Sequence, residues 1–236
     1  MNSNSMKTIP ETDLQFICNI QTPCFQSLTT EETEFVRSSK TQVLFRKGEN
    51  LTKQGTFSAY ILFIVKGIAK QYIEGENSRN YNLRILQAGE FVGLSSVFTG
   101  NIFSYSAAAL TDCQAFLIEK ETITKLAQQN GSFGFAIIKR YCEQNADLYI
   151  NLEEVLFKQM NGRLAHILLY LNKIKQKTPD IFQLLVRKEL ADFAAISTEN
   201  TVKLLKTFEK EGLIQLNEKE ISLIDILRLQ EISKKG

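Results

Sequence analysis

The chain of 236 residues carries 28 Lys and Arg against 26 Asp and Glu, and 44% of its residues are hydrophobic. These values are ordinary for a soluble globular protein with one large domain or two ordinary ones. No run of about 18 apolar residues exists, which excludes a membrane-spanning helix, and the first residues lack the apolar segment of a secretory signal. We therefore expect a cytoplasmic protein whose four cysteines are free thiols or ligands rather than disulfides.

Positive charge is concentrated in the C-terminal third of the chain. Residues 157–236 hold 14 Lys and Arg against 10 Asp and Glu, whereas residues 1–156 hold 14 against 16. A basic segment favours a polyanionic partner such as nucleic acid. The asymmetry alone does not identify that partner, so the motifs in this part of the chain have to decide.

The first predicted elements are a short helix and a series of strands. Thr29, Thr30, Glu31 and Glu32 form the capped, acidic beginning of a short helix in the run "TEETEFVRSS" (residues 30–39). Residues 41–119 then contain short β-rich runs, among them "YILFIVKG" and "YNLRILQAG", separated by glycines. Regularly spaced short strands with glycine turns predict an all-β sandwich or barrel.

A long helix is predicted after residue 121. Gly131 and Gly134 are expected to interrupt it, so that its long part begins near Phe135. Residues three and four positions apart then form a heptad seam, typical of a dimer in which Asn145 sets the register. The alternative is an amphipathic helix packed on its own β-domain. The predicted dimer-interface residues are Ile138, Tyr141, Asn145, Leu148, Leu152 and Val155.

The most informative stretch begins at residue 187. Arg187–Ala195 fits a short helix, Ile196 and Ser197 form a tight turn, and Ser197 is a good N-cap for a second helix over Thr198–Lys210. Two short helices with a small-residue turn describe a helix–turn–helix, whose second helix enters the major groove of DNA. The run "LIQLNEKEISLI" predicts a β-hairpin wing with its turn at residues 217–219. The alternative is an ordinary helix pair with a solvated lysine face.

The outward side chains of the second helix are suited to reading DNA. Glu199 can accept a hydrogen bond from cytosine, Asn200 can pair with adenine, and Lys203 can donate to guanine. The basic residues around them are expected to contact phosphates, which position a protein without specifying sequence. The remaining candidate DNA-binding residues are Arg187, Lys188, Ser197, Thr198, Lys206, Thr207 and Lys210.

The segment "GEFVGLSSVFTGNIFSYSAAAL" at residues 89–110 is the candidate effector site. Its two glycines could let the backbone wrap a small anion, but it contains one carboxylate and no Lys or Arg. Without a cation, a phosphate would keep only backbone N–H groups and hydroxyls, with no charge-assisted hydrogen bond. The candidate effector-binding residues are Gly89, Glu90, Phe91, Gly93, Leu94, Ser95, Ser104, Tyr105 and Ser106.

Three motifs follow one another along nearly the whole chain. They are "KGENLTKQGTFSAYILFIVKGIAKQY", "AGEFVGLSSVFTGNIFSYSAAAL" and "KELADFAAISTENTVKLLKTFEKEGLI". In this order they resemble the Crp/Fnr family of bacterial transcription regulators. The resemblance implies an α+β fold: an N-terminal antiparallel β-roll (double-stranded β-helix, jelly-roll-like) in residues 1–120, a dimerisation helix region in residues 121–158 and a C-terminal winged helix–turn–helix in residues 159–236.

The resemblance also implies a function. It predicts a homodimer that binds a pseudo-palindromic promoter site in double-stranded DNA under the control of a small-molecule effector in the β-roll. RNA polymerase is a further partner if the protein activates transcription. The chain contains no nucleophile elbow, no P-loop and no second histidine for acid–base chemistry, so no enzyme is expected. An interaction module that dimerises without binding DNA stays the alternative outside this class.

Two sites depart from the pattern of that family. Its recognition helix commonly carries Glu, Ser and Arg as base readers, and here Glu199 and Lys203 match the first and last while Val202 stands at the second. Cyclic-AMP binders carry a Glu after the second glycine and an Arg–Ser pair at the phosphate, where this chain has Leu94 and "FSYSA" (residues 103–107). We expect a related but different DNA site, and an uncharged or apolar effector, or none, rather than cyclic AMP.

Oxygen-sensing members of the family hold an iron–sulfur cluster on four cysteines. Cys18 and Cys24 resemble two of the three N-terminal ligands, but Gln15 stands at the third, and Cys113 lies beside the central position rather than at it. A cluster is therefore not expected, and redox sensing by Cys18, Cys24 and Cys113 is an alternative. Cys142 is expected to be a small buried residue of the long helix. His166, the only histidine, is expected to be structural.

Overall fold

The computed structural model describes residues 7–8, 25–76 and 79–236. The chain folds into two compact units, each with most of its contacts within itself. The first contains the residues up to 73 together with 84–146, and the second contains residues 74–83 and 147–236. No helix in the described part of the chain is long and apolar enough to cross a membrane.

The first unit is built on short antiparallel strands. They are β1 (Lys7–Thr8), β2 (Lys40–Phe45), β3 (Asn50–Thr52), β4 (Tyr60–Lys66), β5 (Ala69–Glu74), β6 (Asn80–Leu86), β7 (Phe91–Val92), β8 (Ser106–Ala109) and β9 (Cys113–Glu119). One sheet has the order β1-β2-β9-β4-β7 and the other β3-β8-β5-β6. The predicted antiparallel β-roll is confirmed.

Strand β4 shows how the sequence builds the core of this unit. Ile61 and Phe63 pack into one hydrophobic cluster, and Leu62 and Ile64 into another. Successive side chains of a strand point to opposite faces, so the unbroken apolar run "ILFI" buries both. Each side chain buried in this way stabilises the fold by about 1.5–3 kcal/mol.

The first helix, α1 (Thr30–Ser38), begins as predicted. The Thr29 hydroxyl accepts a hydrogen bond from the Glu32 N–H, and the Glu32 carboxylate accepts one from the Thr29 N–H at 2.8 Å. This reciprocal capping box satisfies two of the N–H groups that a helix end leaves unpaired. The hydrogen bond from the Thr29 N–H to the carboxylate holds the pKa of Glu32 below its usual value, together with a bond from the Asn130 side chain.

The expected start of the long helix near Phe135 is wrong. After α2 (Ser96–Thr99) and α3 (Lys120–Gln129), helix α4 begins at Gly131 and runs to Phe157. Asn130 caps it, because its side-chain oxygen accepts from the Phe133 N–H at 3.0 Å. Gly134 does not break the helix, and a Cβ there would lie 2.7 Å from the carbonyl oxygen of Ala127 in α3. The glycine permits close packing of α3 and α4.

The second unit contains residues 80–83 of β6, the end of α4 from residue 147, and the remaining elements. The remaining elements are α5 (Met160–Lys175), α6 (Ile181–Leu184), α7 (Arg187–Ala194), α8 (Thr198–Lys210), β10 (Ile214–Asn217), β11 (Glu220–Leu223) and α9 (Ile226–Lys235). Strands β10 and β11 pair antiparallel, with Asn217 opposite Glu220, and this hairpin confirms the predicted wing. Asn82 also lies in this unit and donates a hydrogen bond to the carbonyl oxygen of Glu189 in α7 at 3.1 Å.

Candidate DNA-binding surface and effector site

The turn between α7 and α8 has the geometry of a helix–turn–helix. Helix α7 ends at Ala194, and Ala195 adopts the left-handed conformation with φ of 51°. The Ser197 hydroxyl then accepts a hydrogen bond from the Asn200 N–H at 3.1 Å, which caps α8 as predicted. The two helices are therefore joined by three residues whose conformations end one helix and start the next.

The inner face of α8 packs against the rest of the second unit. Thr201, Leu205 and Phe208 are buried, whereas Val202 is half-buried. The Thr201 hydroxyl donates to the carbonyl oxygen of Ser197 at 3.0 Å, so the polar group is satisfied inside the helix.

The outer face of α8 is exposed and carries both charges. Glu199 and Lys203 form an ion pair at 2.6 Å, with 75% and 69% of their side-chain surfaces exposed. Lys206, Thr207 and Lys210 are also exposed. An exposed pair of this kind contributes at most about 1 kcal/mol, so both side chains remain available to a ligand.

Other predicted DNA-binding residues have partners within the protein. Asn200 is half-buried, and its amide lies 3.3 Å from the sulfur of Met160. Arg187 is half-buried and donates to the carbonyl oxygen of Glu218 in the wing turn at 3.4 Å. Lys188 lies 3.3 Å from the carboxylate of Asp192. Ser197 and Thr198 are exposed at the start of α8.

The candidate effector segment is folded into the first unit. Phe91 and Leu94 are fully buried in its hydrophobic core. Ser106 is also buried, and its hydroxyl accepts from the Gln54 N–H at 2.9 Å. Gly89 lies in the turn before β7, and Ser95 is half-buried, whereas Ser104 is exposed. The structure thus brings together only part of the predicted set, around Glu90, Gly93 and Tyr105.

The Tyr105 side chain is hydrogen-bonded to the glycine turn at Gly93. Its phenolic oxygen accepts a hydrogen bond from the Gly93 N–H at 2.7 Å, and burial raises the pKa of the phenol. The ring of Phe103 lies on the same glycine, so close that a Cβ at Gly93 would be 2.5 Å from it. Phe103 and Tyr105, both in the "FSYSA" run, therefore fill the space next to the Gly93 N–H.

Glu90 is the centre of a partly buried ionic cluster. Its Oε1 atom lies 2.8 Å from Arg84 Nη1 and 3.3 Å from Arg140 Nη2. Its Oε2 accepts from the Gln87 N–H at 2.7 Å, and the Nε of Arg84 donates to the Gln71 side chain at 2.8 Å. The segment itself has no cation, but β6 and α4 supply two.

Sequence reasoning missed both arginines because it looked only within the glycine-containing segment. Arg84 is the single charged residue of β6, in the run "NYNLRIL", and it is buried. A charge within an apolar strand is costly unless it is paired, so it indicates a specific partner. Arg140 could not have been found in this way, because half-exposed arginines are common on long helices.

One surface cavity of about 510 Å³ lies elsewhere in the first unit, and none of the predicted effector-binding residues lines it. Lys120 is one of its lining residues. The Lys120 ammonium donates to the carbonyl oxygens of Ser58 and Gly100 and to the Asn101 side chain, so its hydrogen-bonding groups are used. The cavity therefore offers no free cation for an anionic ligand.

Helix α4 exposes large apolar side chains. Phe135, Ile138, Tyr149, Leu152 and Leu156 are between 54% and 70% exposed. Of the other predicted interface residues, Tyr141 and Leu148 are 40% and 36% exposed, and Asn145 and Val155 are half-buried. Cys142 is exposed in this chain. The expectation that it is buried is wrong, because it lies on the side of the helix away from core residues Phe133 and Ile137.

Cys113 is unsuited to thiol chemistry. It is buried in β9, and its sulfur donates to the carbonyl oxygen of Ile68 at 3.2 Å. Burial raises the pKa of the thiol to about 11, so the reactive thiolate is scarce near neutral pH. Among the described residues no three His, Cys, Asp or Glu side chains are grouped to hold a metal ion. Cys18 and Cys24 lie outside the described residues.

His166 lies in α5 beside the end of α4. Its Nδ1 atom is 3.2 Å from Glu154 Oε1, to which Lys158 also donates at 2.5 Å. Burial lowers the pKa of His166, while the Glu154 charge opposes that effect. These contacts join two helices of the second unit, and a structural role for His166 stays a prediction.

Comparison with known proteins agrees with both halves of this description. Residues 42–130 match the family of cyclic nucleotide-binding domains, and residues 162–232 match the Crp-like helix–turn–helix domain. The chain is 30% identical over 179 residues to the cAMP-activated global transcriptional regulator CRP of Salmonella typhimurium, covering 72% of this chain and 83% of that protein. The chain belongs to the Crp/Fnr family. It is a DNA-binding transcription regulator of this type.

Further similar proteins show how varied the family is. The anaerobic regulatory protein of Bacillus subtilis is 24% identical over 196 residues, which are 81% of this chain and 82% of that one. A solved Crp/Fnr-family regulator from Eubacterium rectale superposes with a TM-score of 0.73 at 19% identity, covering 90% of this chain and 98% of its own. The c-di-GMP responsive regulator CLP of Xanthomonas campestris has a TM-score of 0.70 at 17% identity, covering 83% and 99%. These two structures share the fold.

Proposed function

We propose that this Crp/Fnr regulator is a homodimer that binds a pseudo-palindromic promoter site and responds to an effector other than cyclic AMP. The observation that carries the DNA-binding part is the outer face of α8. Its N-terminal turn is capped, exposed and charged, and exposed lysines continue along the same side. A recognition helix reads base edges with its N-terminal residues while neighbouring cations hold phosphates.

Within this surface we assign two roles. Glu199 and Lys203 read base pairs, because they are exposed at the start of α8 and carry an acceptor and a donor. Lys206, Thr207 and Lys210 contact phosphates, with Ser197 and Thr198 at the helix start. Arg187 contributes less, because it is half-buried and donates to Glu218, whereas exposed Lys188 remains available to a phosphate. Asn200 would read a base only after leaving Met160.

The dimer is proposed to form along α4. Seven residues alternate three and four positions apart on the side away from the core, as a two-stranded seam requires: Phe135, Ile138, Cys142, Asn145, Tyr149, Leu152 and Leu156. This seam shares Ile138, Asn145 and Leu152 with the one predicted from sequence and is turned away from Tyr141, Leu148 and Val155. Greater exposure of Phe135, Tyr149 and Leu156 supports it. Large exposed apolar surfaces favour association.

Each of the three regions would then have its own role. Residues 1–120 sense the effector, residues 121–158 dimerise and residues 159–236 bind DNA. Effector binding shifts the population between dimers whose two α8 helices match the DNA and dimers whose helices do not. A regulator of promoters acts in the cytoplasm, where RNA polymerase would be its partner if it activates transcription.

Cyclic AMP is a poor fit to the effector site. The N–H of Gly93 is already bonded to Tyr105, and Phe103 covers the glycine. Leu94 lies in the core and offers no carboxylate to a ribose. The related proteins themselves are named for different signals, cyclic AMP, anaerobic growth and c-di-GMP among them. Similarity to them therefore does not identify the effector of this chain.

The test is DNA binding by the full chain as a function of salt. Fluorescence anisotropy with promoter fragments from the same genome should find sites that bind at least about 1,000-fold more tightly than random DNA. Log Kd should rise linearly with log salt, with a slope set by the number of phosphate contacts. Uniform weak binding to all fragments, or none, would favour the dimerising interaction module instead.

A further inference from the structure

The ionic cluster around Glu90 leaves three buried hydrogen-bond donors without an acceptor. They are Nη2 of Arg84, Nε of Arg140 and Nε2 of Gln144, each without a partner among the described residues. All three are nitrogens that can only donate. Most buried side-chain donors in proteins are hydrogen-bonded, so three such donors in one region require an explanation.

Two of the donors belong to the Glu90 cluster, and helical spacing puts the third beside them. Arg84 and Arg140 share the same oxygen of Glu90, at 2.8 and 3.3 Å. Gln144 follows Arg140 by one helical turn on the same face of α4. Arg84 is 9% exposed as a whole residue, so water does not solvate its guanidinium freely. Tyr105 is close enough for the charges of Arg84 and Glu90 to act on its phenol.

The charges of the cluster do not cancel. Glu90 is the one carboxylate that pairs with the two guanidinium groups in the described part of the chain. One positive charge therefore remains among side chains that are between 11% and 32% exposed, where an unpaired charge is disfavoured. A neutral ligand would leave this charge in place, whereas an anion would balance it and accept from several donors at once.

We propose that these three donors bind an oxyanion group, the carboxylate or phosphate of a small metabolite, and that this metabolite is the effector. The assignment rests on the proposed function, since it names the ligand class of the effector site. The glycine-containing segment has no cation of its own, and β6 and α4 supply the positive charge instead. It also replaces the expectation of an uncharged effector, which considered that segment alone.

The position of the donors connects ligand binding to the proposed dimer helix. Arg140 and Gln144 both lie on α4, the helix that carries the proposed seam, and Arg84 lies on β6 of the roll. An anion held by all three would fix α4 against β6. Binding would thus favour one placement of α4, which is the differential interaction that a population shift requires.

Thermal unfolding with defined anions tests the proposal without DNA. The probes are inorganic phosphate and succinate, each compared with sodium chloride of equal ionic strength. At about ten times its Kd, a bound probe should raise the unfolding midpoint by about 3–6 °C for a protein of this size. A response to succinate alone identifies a carboxylate ligand, and a response to phosphate alone identifies a phosphate ligand.

Gln144→Leu is the decisive variant. It removes a side-chain amide whose nitrogen has no partner among the described residues. Loss of a hydrogen bond to a charged ligand should weaken binding of the probe by about 10- to 100-fold. The matched control is Gln129→Leu, the same replacement at an exposed position of α3, and it should respond to the probe as the wild type does.

Two results would overturn the proposal. One is the absence of any shift beyond that of chloride with both probes, and the other is an equal shift in the wild type and Gln144→Leu. If neither probe acts and Gln144→Leu weakens dimerisation, an acceptor from the second chain satisfies the donors instead. DNA binding is measured separately in chloride, so its failure would count against the proposed function and not against the oxyanion site.

Discussion

The phenolic oxygen of Tyr105 accepts a hydrogen bond from the backbone N–H of Gly93, and the two atoms are 2.7 Å apart. A backbone N–H at a glycine turn is the kind of group that could hold the phosphate of a ligand. Here a side chain of the same domain holds it, with the ring of Phe103 lying on the glycine. The "FSYSA" run, which departs from the sequence of cyclic-AMP binders, thus occupies the N–H group that a ligand phosphate would otherwise use.

Replacing Tyr105 with Phe should destabilise the protein by about 1–3 kcal/mol, because the N–H of Gly93 would lose its acceptor in a buried setting. Urea unfolding followed by circular dichroism measures this free energy. Tyr60→Phe is the control, since Tyr60 is 42% exposed, and it should change stability by less than about 0.5 kcal/mol. Equal effects of both substitutions would show that the hydrogen bond to Gly93 contributes nothing particular.

The α4 seam predicts a cross-link at Cys142. In a parallel two-stranded seam the same core position of each chain faces its copy, so two Cys142 thiols should come within disulfide distance. Mild oxidation of a Cys18→Ser, Cys24→Ser variant should give a covalent dimer on a non-reducing gel. The further change Cys142→Ser should abolish it. A seam through Tyr141 and Leu148 would instead leave the two thiols apart and the protein monomeric on the gel.

Cys113 should resist alkylation in the folded protein. Burial raises the pKa of its thiol to about 11, so less than about one thiol in a thousand is ionised at pH 7.5. Iodoacetamide labelling followed by peptide mass spectrometry should leave Cys113 unmodified in the native protein and modify it only after denaturation. Fast labelling of Cys113 in native protein would revive the redox-sensing alternative.

Glu199 and Lys206 should differ in how their loss affects DNA binding. Glu199→Ala should relax preference at one base pair by about 1–3 kcal/mol, whereas Lys206→Ala should weaken all sites alike and lower the salt slope by about one. Binding to a set of single-base site variants at several salt concentrations separates these effects. Lys53→Ala, an exposed lysine of the first unit, should change neither. Altered base preference in Lys206→Ala would contradict the division between base and phosphate contacts.

Local sequence patterns were enough to predict much of the fold. The cap at Thr29, the cap at Ser197 and the glycine-punctuated strands each act over a few residues, so the sequence shows them directly. The start of α4 was mispredicted because two glycines usually weaken a helix. Only the structure shows that Gly134 is required for close approach to Ala127.

The candidate effector site depended on contacts that are distant in sequence. Arg84 and Arg140 meet at Glu90 although they are 56 positions apart along the chain, and nothing in either local stretch indicates the other. Likewise, Tyr105 could not be seen to reach Gly93 before β7 and β8 were placed. The sequence therefore predicted the bounds and the N-cap of α8, while the charges near the candidate effector segment required the tertiary structure.

The central claim, a dimer reading a two-fold DNA site through α8, is tested most directly by selecting bound sequences from random duplexes and weighing the complexes by native mass spectrometry. We predict two inverted half-sites with centres about 34 Å apart, one helical turn, bound by two chains. Selection of a single asymmetric half-site bound by one chain, or of no sequence at all, would contradict the account.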